Sequence, residues 1–237
     1  MNAKVIKIGS CTLDPGNVAS PVYAKLKNQL GVGGGSTVTL IREGEEVLVV
    51  DTGYDREADG SQANREKNWY ELKLLLGFHG VAPTDITKVF ITHFHRDHFG
   101  GIEHLAHAQW YCHRLALADC REAIREKFLP VDDGQDILPN VVAIHTPGHT
   151  RGHCSLLWTA KDRSVRVAIS GDAIINLAWL QSGYIWRWNS DFYNREEARG
   201  SIEKLLRMSD IVIPGHGQPF FSSLYTGRRP FSGEENE

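Results

Sequence analysis

Residues 88–92 read Lys-Val-Phe-Ile-Thr, an apolar, β-branched run that feeds without a break into His93-Phe94-His95-Arg96-Asp97-His98. The first run predicts a buried strand. The second sets three imidazoles and a carboxylate at the strand's carboxyl end, and Gly100-Gly101 then allows a tight passage into a helix near Ile102. If the extended geometry persists, His93 and His95 are two apart, project to the same side and reach one metal ion as neutral imidazoles. Asp97 and His98 fall where the chain leaves the strand and can turn towards a second ion.

Such a site needs more ligands than one motif supplies, and the remaining candidates sit where other strands end in glycine-containing turns. The strand ending at Thr146 runs into Pro147-Gly148-His149-Thr150, another into Ser170-Gly171-Asp172-Ala173, and the last into Pro214-Gly215-His216-Gly217. Rigid backbone fixes the ligand at each place, while the small neighbour leaves room for metal and substrate. Taken singly, His149 and His216 read as turn histidines and Asp172 as a helix cap. Together with residues 93–98 they read as a cage. His153, four residues after His149, is assigned a structural role behind the ligands. His79, His104, His107, His113 and His145 have no motif around them and read as surface or packing residues.

The coarse pattern opens with a strand at 5–8 and a hairpin of strands 36–41 and 46–51 about a Glu43-Gly44 turn. Trp69, Leu72, Leu75 and Leu76 recur at helical spacing in 65–78, and Gly80 supplies the C-terminal cap. A helix at 102–106, a strand at 109–112 and one helix over 114–127 follow. Strands at 140–146, 154–160 and 164–170, a helix at 195–208 and a buried strand at 210–214 complete the chain. The order predicts an α/β fold. The Gly-rich run 31–35 lacks GxxxxGK[ST] and precedes a strand, so it reads as a flexible loop. We expect a single domain over 1–231 and a disordered acidic tail at 232–237.

With 237 residues, 41% hydrophobic and 23% charged, the chain can bury a full core, and no apolar stretch approaches the ~20 residues of a membrane span. The N-terminus lacks the apolar core of a signal peptide, and the four cysteines form no CxxC pair. Both features point to the cytoplasm. A net charge of −3 offers no general basic footprint for nucleic acid, Arg228-Arg229 being the one small patch. A small-molecule substrate is expected, with neither a nucleic-acid nor a membrane partner, and a homodimer is compatible.

From Asp51-Thr52-Gly53 to Pro214-Gly215-His216 the chain resembles the metallo-β-lactamase superfamily of metal-dependent hydrolases, with all five recurring motifs in order. The resemblance implies a four-layer αββα sandwich with the metals at one edge, between two sheets. By motif it implies that His93, His95 and His149 hold one ion, that Asp97, His98 and His216 hold another, and that Asp172 bridges them. Asp51 would steady the ligands from behind, and Asp97 could also orient the nucleophile. Zinc suits this donor set, and iron and manganese are alternatives. The chemistry implied is attack by a hydroxide bridging two divalent ions on a small ester, thioester or lactone. A phosphodiesterase or nuclease, and an iron-dependent oxidoreductase of sulfur dioxygenase or diiron type, are the alternatives.

Departures from the subfamilies narrow the substrate. True β-lactamases have no aspartate at the position of Asp172. Acyl-homoserine lactonases carry a tyrosine shortly after it, where this chain reads Ala173-Ile174-Ile175-Asn176, and the glutathione-binding residues of glyoxalase II are not recognisable. The stretch 177–188 carries three of the six tryptophans. Trp179, Tyr184 and Trp186 are expected either to wall an apolar substrate pocket, with Arg187 meeting an anionic group, or to pack the segment onto the body or a dimer interface.

Overall fold

The computed structural model describes residues 3–10, 35–54, 61–182 and 194–225. Among the described residues, twelve strands form two six-stranded sheets. The first contains β1 (Ala3–Lys7), β2 (Val38–Glu43), β3 (Glu46–Val50), β4 (Lys88–Phe90), β5 (Gln109–His113) and β6 (Phe128–Val131), in that spatial order. The second contains β7 (Asp136–Leu138), β8 (Val141–His145), β9 (Cys154–Thr159), β10 (Arg166–Gly171), β11 (Ile211–Pro214) and β12 (Phe220–Phe221), running from β12 at one edge to β7 at the other.

Why these strands stack into layers follows from their side-chain alternation. In β3, Val47 and Val49 point into one apolar cluster, whereas Leu48 and Val50 point into another. Both faces are buried, so the strand reads as an unbroken apolar run. The cluster holding Leu48, Val50 and Phe90 also takes Ala143, Leu156, Val167, Ile169 and Ile213 from the second sheet, and it is the inner core between the sheets. The outer face of the first sheet is covered by α1 (Gln62–Phe78) through Leu72 and Leu76, with Ile102 and Leu105 beside them. The outer face of the second is covered by Leu180 of α4 (Leu177–Ser182) and by Ile202 and Leu205 of α5 (Arg195–Met208). Three apolar clusters between four layers make the expected αββα sandwich.

Local chemistry explains the helix ends. Ser61 accepts from the Asn64 amide at the start of α1, and Gly80, at φ +66°, closes the other end. Asn194 accepts from the amides of Glu196 and Glu197, whose carboxylates suit the positive end of α5.

Several expectations need correction. Residues 114–127 do not form one helix. A 3₁₀ turn (Arg114–Ala118) and the short α3 (Glu122–Arg125) replace it, because Gly152 packs against the Ala116 backbone and holds the first turn down on the site loop. The helix at 102–106 is a 3₁₀ turn (Ile102–Leu105), and a helical turn begins earlier, as α2 (Arg96–Phe99), inside the histidine motif itself. Strands β6, β7 and β12 are short and carried no alternation long enough to predict them. Residues 31–34 of the glycine run and the acidic tail lie outside the described residues.

Candidate metal centre

Strands β3 and β4 are parallel, and β8, β10 and β11 share one direction through the antiparallel partner β9. Asp51 follows β3, His93 and His95 follow β4, His149 follows β8, Asp172 follows β10 and His216 follows β11. Backbone bonds lace the two sheets together here, from Thr37 N to Gly215 O at 2.7 Å and from Cys154 N to Thr92 O at 2.9 Å. The strand ladder stops at Phe90, so His93 and His95 sit in the extended segment beyond it, and His95 is the residue that enters α2.

The seven expected ligand residues meet in two groups. His93, His95, His149 and Asp172 place one nitrogen or oxygen each within 4.8 Å of one another, and so do Asp97, His98 and His216. That is roughly the span of two metal–ligand bonds of about 2.1 Å. Asp172 faces both groups. Its Oδ2 lies 3.4 Å from His149 Nε2 and 4.0 Å from His93 Nε2, while its Oδ1 lies 3.2 Å from His98 Nε2 and 3.3 Å from His216 Nε2. Asp97 Oδ2 is 3.2 Å from His216 Nε2 and 3.6 Å from His98 Nε2.

Hydrogen bonding on the far side of the rings fixes which nitrogen is offered. A carboxylate only accepts, so His98 Nδ1–H donates to Asp51 Oδ2 at 2.7 Å. Thr92 spends its hydroxyl proton on the same oxygen at 2.9 Å and therefore accepts from His93 Nδ1–H at 3.1 Å. The carbonyl of Ser10 takes His216 Nδ1–H at 2.9 Å. All three rings thus turn Nε2 inward. The buried Nε2 of His93, Nε2 of His98 and Oδ1 of Asp172 have no hydrogen-bond partner. Buried polar atoms left this way are costly, and divalent cations, displacing any proton on an inward Nε2, would engage all of them, so the residues present fit metal ions.

Electrostatics divides the centre. Burial drives His93 far below its ordinary range, and it drives His149 down to about 3 against the pull of Asp172. These rings are neutral donors. Burial would also depress His98, but Asp172, Asp51 and Asp97 override it and hold the ring up at about 10. His216 is likewise raised against burial by Asp172 and Asp97. Burial would raise Asp97, yet His98 and His216 keep it at about 2. Protons on two imidazoles therefore balance the carboxylates on this side, as a cation would.

Asp51 stands behind the ligands in the left-handed region, at φ +58°, a conformation that costs a non-glycine residue energy and clusters at functional sites. His153 is buried next to the rings of His93 and His149. Ser155 donates to Ser170 O at 2.9 Å, Thr146 therefore donates to Ser155 at 2.8 Å, and His153 Nδ1–H donates to Thr146 at 2.8 Å. His153 is outside both ligand groups. Gly215 is required for space, since a Cβ there would overlap Asp172 Oδ1. Thr92, Ser10, Thr146 and Ser155, which set the ring protonation, had no signal in the sequence beyond the position of Thr92 beside the motif.

Trp179 is fully buried, and the cleft beside the centre is lined by its neighbours Leu177 and Ala178. Tyr184, Trp186 and Arg187 lie outside the described residues.

Residues 31–216 match the family model described as the metallo-beta-lactamase superfamily, and the chain belongs to that superfamily. Among its relatives is metallo-beta-lactamase domain-containing protein 1 of Xenopus laevis, 32% identical over 149 residues, 60% of this chain and 58% of that protein. The match thus spans little more than half of that relative's length. An N-acyl homoserine lactonase from Bacillus sp is 27% identical over 236 residues, 89% of this chain and 91% of that one. A candidate metallo-beta-lactamase of Thermotoga maritima shares the fold with a TM-score of 0.62 at 19% identity, over 93% of this chain and 98% of that one.

Proposed function

We propose that this chain is a hydrolase working with two divalent ions, zinc foremost and iron or manganese as alternatives, on a small ester, thioester or lactone. The observation that carries this is Asp172, which turns one carboxylate oxygen towards each histidine group. His93, His95 and His149 would hold one ion, Asp97, His98 and His216 the other, with Asp172 shared. Ions bound there would supply a water of lowered pKa as nucleophile and would polarise the carbonyl under attack.

The chain's own residues do the rest. Asp51, Thr92 and Ser10 hold three rings with Nε2 inward, so little reorganisation is needed when ions or substrate arrive. Asp97, whose Oδ2 lies 3.2 Å from His216 Nε2, would also orient the attacking water or shuttle its proton. The lactonase relative, alignable over nearly its whole length, supports the acyl and lactone class. No helix among the described residues is long and apolar enough to cross a membrane. The free, buried Cys112, Cys120 and Cys154 support a reducing compartment such as the cytoplasm.

The test is a panel of carboxylic esters, thioesters, lactones and phosphodiesters, assayed with metal-loaded and chelator-treated protein. Turnover of an acyl substrate that disappears on chelation and returns with zinc is expected. Turnover confined to phosphodiesters would overturn the substrate class.

A further inference from the structure

Helix α1 is apolar on two opposite faces. Leu72 and Leu76 point into the core on the outer side of the first sheet, while Tyr70, Leu74 and Phe78, set four residues apart, form a stripe on the other side that is 65%, 47% and 75% exposed. Surface helices turn polar residues to water, and single exposed apolar side chains are ordinary, but three in line leave on the order of 400 Å² uncovered. Gly77 lies beside the stripe in the helix interior, where a Cβ would meet open space. No contact among the described residues calls for a glycine there, although it weakens the helix relative to alanine.

The charges beside the stripe are self-complementary. Glu66 and Lys73, two turns apart, lie on one flank, and Lys67 and Glu71, one turn apart, on the other; all four are exposed. Turning a second copy antiparallel about a two-fold axis near Tyr70 reverses the order on each flank, so Glu66 faces the second copy's Lys73, and Lys67 its Glu71. Glu71 already holds Lys7 Nζ at 2.8 Å. Glu66 accepts from Gln62 Nε2 at 3.0 Å and Lys73 lies 5.5 Å from the centre of the Trp69 ring, neutral partners that leave both charges for the second copy.

We propose that α1 is the contact between two copies of this chain, packed antiparallel, with Tyr70 at the two-fold axis, Leu74 against the second copy's Ala63 and the stem of its Lys67, and Gly77 letting the helices close up. The stripe supplies about half of the ~800 Å² that each side of a standard interface buries, and the stems of the four charged residues supply the remainder. An anionic membrane surface would call for a basic face, and the acids on both flanks argue against it. None of the metal ligands lies on α1, so metal content serves as the internal control.

Sedimentation equilibrium of the metal-loaded full chain over a range of concentrations tests this. A species of twice the 26.5 kDa chain mass is expected. Leu74→Lys, which sets a second lysine beside Lys67 of the other copy, is expected to weaken association by more than ~100-fold, with metal content and circular dichroism unchanged. Glu66→Lys and Lys73→Glu should each weaken it by roughly 10-fold, and the double variant, in which every pair is opposite again, should return to within a few-fold of the parent. A monomer at all concentrations, or a dimer indifferent to Leu74→Lys, would overturn the proposal, and a monomer that binds anionic vesicles through Leu74 would give this face to a membrane instead. A double variant as weak as the single ones would overturn the antiparallel arrangement. Should Leu74→Lys fail to fold, Tyr70→Lys replaces it, with the same loss expected.

Discussion

Asp51→Asn isolates the hydrogen bonding behind the metal centre. Asparagine has the shape of aspartate and tolerates the left-handed backbone at φ +58°, so the substitution adds no steric load. The carboxylate accepts from Thr92 N at 2.9 Å, from Thr92 Oγ1 at 2.9 Å and from His98 Nδ1 at 2.7 Å. An amide keeps its oxygen towards the Thr92 amide, because the reverse orientation would set two donors face to face. Its NH₂ then confronts His98 Nδ1 and can only donate. The one proton that His98 keeps when it binds metal must then sit on Nε2, the atom that lies 3.2 Å from Asp172 and 3.6 Å from Asp97. The lone pair offered to an ion is lost. Changes of this kind cost about 10–100-fold in metal affinity, or about 1.4–2.7 kcal/mol. Zinc competition against a chromophoric chelator measures it, with circular dichroism reporting the fold. A variant that folds as the parent does and binds zinc equally well would refute the argument that Asp51 sets the His98 tautomer.

Other outcomes follow from the same geometry. Gly215→Ala sets a Cβ onto Asp172 Oδ1 and is expected to reduce bound metal to about one ion or fewer per chain, measured by elemental analysis of the purified variant. In the metal-free protein His98, held at about 10, and His216, also raised, keep their second protons at neutral pH. Zinc binding must expel them. Calorimetric enthalpies should therefore depend on the buffer's ionisation enthalpy, and zinc affinity should fall as pH is lowered; enthalpies independent of buffer would contradict the assignment. Leu76→Ala, at a fully buried position of α1 against the first sheet, should lower unfolding stability by about 2–5 kcal/mol in urea titration, while metal content is retained.

The parts legible in the sequence were those whose chemistry is local. Strands β3, β4, β10 and β11 are buried on both faces, so their apolar runs announced themselves, and the ligand types stood at their ends beside glycine. That these ends converge depends on strand directions and on inter-sheet bonds such as Thr37 to Gly215, which no periodicity encodes; the motif resemblance carried that step. The region 114–127 misled because its helix-forming residues are held by Gly152 against Ala116, a long-range contact that overrides propensity. Trp179 shows the same limit. Its place in an aromatic-rich stretch left a substrate wall and packing onto the body both open, and only the fold shows that Trp179 is buried while Leu177 and Ala178 line the cleft. The protonation relay through Thr146 and Ser155 to His153 was invisible because hydroxyl residues are common and their partners are set by the fold alone.

The most direct test of the dinuclear account is elemental analysis of the protein loaded with zinc and freed of loosely bound ions, alongside a His93→Ala and a His216→Ala variant. The account predicts about two ions per chain in the parent and a loss in each variant, since each removes a ligand from a different group. A single ion in the parent, unaffected by His216→Ala, would contradict it.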